Sequence, residues 1–166
     1  GQSFVGSLGN QAALTALGNA RNSPFTTLVG GGLSPTSPWV WAAVGAAVDD
    51  SETDPARPRQ TLEMTGCVAP AKPYIFTQTE RNTLLYDGVM TYTVDSDGTV
   101  RVERMITTYQ TSAAGVADPS YLDIETMRTL AYLRYSLRNR IALRYPRHKL
   151  ADDGTNFSPG QAIVTP

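Results

Sequence analysis

The sequence predicts an α/β fold: a mixed sheet with packed helices, a β-hairpin and one long helix. Three observations carry that prediction. Strand and helix signals alternate over the first fifty residues. Residues 90–104 alternate with period two on either side of an Asp-Gly turn. Residues 121–145 then hold a helical pattern that only Pro146 interrupts. The chain has 166 residues, enough for one domain with a genuine core, so a single domain over 1–166 is expected.

Residues 1–8 carry no element signal and are expected to be disordered or introduced during cloning. Asn10 is a good N-cap for a helix to Ala20, with Ala13, Leu14, Leu17 and Ala20 on one stripe. Pro24 to Val29 reads as a buried strand, ended by Gly30, Gly31 and Gly32. Ser37 is the predicted cap of a second helix, with Pro38 at its first position, where a missing N–H costs nothing. That helix runs to about Val48 and is apolar on every side, so burial all round is expected.

Residues 49–60 hold four acids, two prolines and two arginines and read as an exposed loop. Thr61 to Cys67 is a candidate strand, and Pro70 and Pro73 keep the next segment extended. Thr77 and Glu80 have capping-box spacing, opening a helix through Tyr86 that Gly88 ends. Met90, Tyr92 and Val94 alternate with threonines. After Asp95-Ser96-Asp97-Gly98, Val100, Val102 and Arg104 alternate with Arg101, Glu103 and Met105. Residues 111–119 read as a loop. The long helix follows, with Ser120 or Asp118 as its cap, and residues 151–166 read as an irregular tail.

Composition narrows the function classes. Charged residues are 17% of the chain, low for a lone soluble domain, as expected where part of the surface is covered. Net charge is −1, which gives the whole chain no bias toward nucleic acid or membrane. No apolar run approaches the ~18–20 residues of a membrane helix. Cys67 is the one cysteine, so no internal disulfide can form.

Charge is segregated. Residues 121–150 carry seven of the 14 basic residues and only Asp123 and Glu125 as acids, giving +5; the remainder is −6. Such a molecule can associate head to tail, or the two regions can neutralise each other within one fold.

No catalytic or cofactor constellation is expected. His148, the only histidine, stands between Arg147 and Lys149, where an imidazole is exposed rather than held for catalysis. One Cys and one His cannot close a zinc site. Asp95-x-Asp97-Gly98 resembles a calcium loop, but the register puts Thr93 and Arg104 where carboxylates are required. Gly30-Gly31-Gly32 lacks the Gly-Lys-Ser/Thr ending of a phosphate cradle. Asp152 and Asp153 are neighbours on a turn and point apart. Neither cofactor, metal nor small-molecule substrate is expected.

The long helix is the candidate site. At about 100° per residue, Met127, Leu130, Ala131, Leu137, Ile141 and Tyr145 share one stripe, with Arg134 and Arg138 in its middle. Two guanidiniums there must snorkel, pair with buried carboxylates, or meet another subunit. Arg134, Arg138, Arg140 and Arg144 are therefore the candidate subunit-interface or buried ion-pair residues. A nucleic-acid-binding module using helix 121–145 is the alternative. Its arginines, however, are spread round the helix instead of lined on one polar face.

Several stretches then resemble the tail sheath proteins of Mu-like phages. The strongest runs from Asp97 to Pro166. It includes Asp97-Gly98-Thr99-Val100, Thr107-Thr108-Tyr109-Gln110, Asp118-Pro119-Ser120-Tyr121-Leu122-Asp123, Tyr145-Pro146-Arg147-His148-Lys149-Leu150 and Ile163-Val164-Thr165-Pro166. Gly18-Asn19-Ala20-Arg21-Asn22-Ser23-Pro24 and Leu84-Leu85-Tyr86-Asp87-Gly88 are also similar. The resemblance implies a non-enzymatic subunit of the phage tail, a virion component assembled in the host cytoplasm. Its partners would be other copies of itself and the tail tube protein. Such subunits stack helically round the tube, and their contraction drives it through the host envelope. It further implies that this chain is a central-to-late fragment of a sheath core domain. The N-terminal portion and the C-terminal domain, whose arms link neighbours, would be missing, so the piece alone would be a monomer or weak oligomer.

Overall fold

The computed structural model describes residues 1–146, 149–152 and 162–165. The chain divides into two units, residues 1–129 and 130–166, where the sequence predicts a single domain. A helix that runs across the division hides it from a reading by periodicity.

In the first unit β1 (Ser3–Ser7), β2 (Thr26–Gly30), β3 (Val89–Val94) and β4 (Val100–Arg104) form one sheet in that order. β1, β2 and β3 are parallel, and β4 is antiparallel to β3, which makes the sheet mixed as predicted. Residues 1–8 are thus not outside the fold, since β1 pairs with β2 from Ser3–Thr26 to Ser7–Gly30. The strand has little propensity of its own. Its Gly6 is required by close approach, because a Cβ there would lie 1.7 Å from the Pro38 carbonyl oxygen.

α1 (Gln11–Asn19) begins at Asn10, whose side chain accepts from the Ala13 N–H at 3.0 Å. α2 (Pro38–Ser51) starts with Pro38 as expected, but the Ser37 hydroxyl makes no capping bond. The two helices cover opposite faces of the sheet. Gly30 sits against Leu14 of α1, whereas Val29, its neighbour on the strand, sits against Gly45 of α2. α3 (Gln78–Tyr86) lies beside α1 and β3. Its capping box is complete: Thr77 accepts from the Glu80 N–H, and the Glu80 carboxylate accepts from Thr77 at 2.8 Å. The core is formed by Leu14, Leu28, Val29, Trp41, Leu84, Val89, Met90 and Ile124, with other apolar residues of the sheet and helices.

The hairpin forms as predicted. Gly98, at φ +90°, donates to the Asp95 carbonyl at 3.0 Å, and a bulge falls between Thr91 and Tyr92. Thr61 to Cys67 lies along the outer edge of β4 through a bridge, Glu63 with Arg101, and backbone bonds from Thr61 N–H to Val102, Met64 N–H to Val100 and Val102 N–H to Leu62, at 2.8–2.9 Å. Pro73 lies in a 3-10 turn, Lys72–Tyr74, rather than in extended chain.

Two expectations about α2 are corrected. It is not buried all round, because Trp39 is 71% exposed. It also continues to Ser51, so Asp49 is helical and buried rather than part of an exposed loop, and Arg59 is buried too. α4 (Ile124–Arg144) begins later than predicted. Asp118 uses its carboxylate on the Ser120 N–H in the turn before it, so neither residue caps the helix. In the second unit, part of the predicted irregular tail is regular: β5 (Lys149–Asp152) pairs in parallel with β6 (Ala162–Thr165). Asp152 ends β5, whereas His148 and Asp153 lie outside the described residues.

Candidate interaction surface

α4 carries two environments along one axis. Its start is held from several directions. Ile124 is fully buried in the core. The Asp123 carboxylate accepts from Arg104 Nε at 3.0 Å and Nη2 at 2.8 Å. Glu125 accepts from the Arg59 backbone N–H at 3.3 Å. One turn on, Arg128 donates through Nε to Asp49 Oδ2 at 2.7 Å and through Nη2 to the same oxygen.

The other oxygen of Asp49 accepts from Arg59 Nε at 3.1 Å. Arg59 Nη1 also donates to the carbonyls of Pro55 and Arg57. The Asp49 and Arg59 side chains are sealed, at 0% and 1% exposure, and Arg128 is 32% exposed. A buried carboxylate is tolerated only when paired and hydrogen-bonded. Here two guanidiniums satisfy both oxygens. Asp49 sits on the buried stripe of α2 with Trp41, Gly45 and Val48. Its spacing from Trp41, eight residues, was the available sequence signal. Nothing comparable marked Arg59 or Arg128.

From Leu130 to Arg144 the helix is exposed except for half-buried Ser136. Leu137 is 62% exposed, and Leu130, Leu133 and Ile141 are exposed as well, as are Tyr132, Tyr135 and Leu143 on its other faces. The stripe predicted from periodicity is therefore open rather than laid in a dry core. Leu130, Leu137 and Ile141 share one line, with Leu133 beside it. Arg134 and Arg138 flank that line on one side, Arg140 and Arg144 on the other. Among the described residues no ion pair or hydrogen bond engages Arg134, Arg138 or Arg140. The Arg144 guanidinium lies 5.9 Å from the centroid of the Tyr145 ring. An apolar ridge with basic rims suits a protein partner with an apolar seat and acidic margins. A phosphate backbone would call for one continuous basic face.

The first unit also holds a groove of about 450 Å³, lined by Leu85, Tyr86, Tyr109, Asp118, Pro119 and Leu122 among others. Two of its polar groups are engaged with each other. Tyr109 donates its hydroxyl to Asp118 Oδ2 at 2.8 Å, which raises the phenol above its ordinary range. Hydrogen bonds from Ser120, then Tyr109, hold the Asp118 carboxyl below its usual value. Cys67 is buried, and desolvation pushes its thiol up to about 11, which suppresses the reactive thiolate. Among the described residues no cluster of His, Cys, Asp and Glu could hold a metal, and no helix is long and apolar enough to cross a membrane.

Residues 1–108 match the family described as the phage tail sheath protein central domain, and residues 116–165 match the phage tail sheath C-terminal domain. The Mu-like prophage FluMu tail sheath protein of Haemophilus influenzae is 46% identical over 165 residues, 98% of this chain and 34% of that protein. The chain thus spans about a third of the length of this curated relative. Among solved structures, a chain of the anti-feeding prophage baseplate, determined by cryo-EM, is similar in fold. Its TM-score is 0.51 at 13% identity, over 72% of this chain and 32% of that one. The second family match corrects one expectation: the family's C-terminal domain is not missing here, because residues 116–165 correspond to it.

Proposed function

The chain belongs to the phage tail sheath family, and we propose that it works as a structural subunit of a contractile tail, without catalysis. In this reading copies of the chain pack helically round a tail tube. A change in their mutual contacts shortens the array and drives the tube through the host envelope. The subunit would be assembled in the host cytoplasm and carried in the virion tail. A difference in contact energy between two packings suffices as the driving force, with no cofactor, nucleotide or other small molecule consumed.

The observation that carries the reading is the open ridge of α4 with Arg134, Arg138, Arg140 and Arg144 on its rims. A helix that displays Leu130, Leu133, Leu137 and Ile141 to water gains by being covered. Self-association is the direct test. Electron microscopy of the full-length protein should show rings or tubes, whereas sedimentation velocity of this chain alone over a rising concentration series should show at most weak oligomers. A full-length protein that stays strictly monomeric at high concentration overturns the reading.

A further inference from the structure

We propose that the seat for the α4 ridge is the outer face of α2 on a second copy of this chain. This rests on the self-assembly reading above and names the two surfaces that meet. The outer face of α2 is an unusual surface for a helix that was expected to be buried. Trp39, Ala43, Ala46 and Asp50 fall on one line, opposite the stripe that Trp41, Gly45, Val48 and Asp49 send into the core. Trp39 is 71% exposed, and Ala43 and Asp50 are exposed as well. An exposed tryptophan at one end is an anchor of the kind that dominates protein interfaces. The alanines after it allow a second helix to approach closely.

Charge selects the occupant. The unit formed by residues 130–166 carries six basic and two acidic residues, +4, and residues 1–129 carry eight basic and 13 acidic, −5. Asp50 stands at the far end of the α2 line and Asp54 follows three residues after the helix ends, both exposed. Asp50 has no hydrogen bond or ion pair among the described residues, and Asp54 uses its carboxylate only on the Ala56 N–H. Glu52 between them is already paired with Arg57. The C-terminal end of a helix adds a partial negative charge at the same place. The α4 ridge brings the complement: apolar side chains along its crest and four arginines on its rims. The crest from Leu130 to Ile141 and the seat from Trp39 to Asp50 each span twelve residues, about 18 Å of helix, so their lengths match. Ridge and seat are different surfaces of one molecule. Where the contact does not close reciprocally in a pair, it leaves one ridge and one seat open and propagates into rings or filaments.

The test is a charge exchange in the full-length protein, read by sedimentation velocity. Arg134→Glu with Arg138→Glu should weaken association about tenfold or more, and so should Asp50→Arg with Asp54→Arg. All four positions are exposed, so each variant should keep the native circular dichroism spectrum. An equimolar mixture of the two variants restores opposite charges at every junction, and association should return to near the native level. That recovery also shows that both variants are folded. Variants that associate as tightly as the native protein overturn the proposal, and so does a mixture that remains dispersed. A native full-length protein that does not associate at all overturns the self-assembly reading, and this proposal with it.

Discussion

Arg128 and Arg134 stand six residues apart on the same helix and meet opposite conditions. Arg128 reaches a carboxylate that is wholly buried, and that carboxylate also holds the sealed Arg59. Arg134, Arg138 and Arg140 find no carboxylate among the described residues and stand beside exposed leucines. The residue type is the same, and so is the local conformation. What differs is whether another element places a counter-charge within reach. The first set locks the start of α4 into the sheet unit. The second leaves the rest of the helix as a surface still to be matched. Buried charge of the first kind is costly to disturb, whereas exposed charge of the second kind costs little to change and is free to set specificity.

The contrast is broken most sharply at Asp49. Asp49→Ala leaves Arg59 buried without a counter-ion, and it should cost about 3–5 kcal/mol in urea denaturation. A loss under about 1 kcal/mol would show that solvent reaches the pair. A paired leucine comparison follows. Leu28→Ala, in the core of β2, should cost about 2–5 kcal/mol, whereas Leu137→Ala on the open ridge should change the stability of the dispersed chain by no more than about 0.5 kcal/mol. Equal effects would mean that the ridge is covered. An ordinary contact of the sheet unit gives the next step of the scale: Thr77→Ala removes the cap of α3 and should cost about 1 kcal/mol.

The weakest effect is on acidity. Glu80, Asp97 and Asp118 are held below their ordinary values chiefly by hydrogen bonds from Thr77, Thr99 and Ser120 respectively. Their folded forms therefore bind fewer protons than the unfolded chain does in the acid range. The stabilisation they supply is complete above the ordinary carboxyl range, near pH 4, and is lost as pH falls through the lower folded values. All three face water, so the decline should be shallow. Thr77→Ala should make it shallower still, read as a smaller drop in the urea midpoint between neutral and acid pH.

Much of the fold could be read along the chain because its cues are local. Asn10 caps α1, the Thr77–Glu80 box opens α3, and Gly98 turns the hairpin, each through bonds spanning three residues. β1 was not legible, because Ser3–Ser7 has no strong alternation and forms by pairing with β2 under α2. The extension of α2 to Ser51 was hidden by its acids. Asp50 faces water, as a charged residue should, but Asp49 turns inward to two arginines that are distant in sequence. For the candidate surface, the four arginines and their stripe were legible from helical period alone. Their exposure was not, since the same stripe could equally have lain against a core.

The sequence by itself determined which segments are helix, which form the hairpin, and which side chains share a helix face, because those depend on contacts within a turn or two. It also carried the family, in the order and spacing of its motifs. Only the tertiary structure decided which of those faces is covered, and which charges meet. Burial and ion pairing depend on groups brought together from far apart: Asp49 with Arg128, seventy-nine positions away, is joined by the fold and by nothing local.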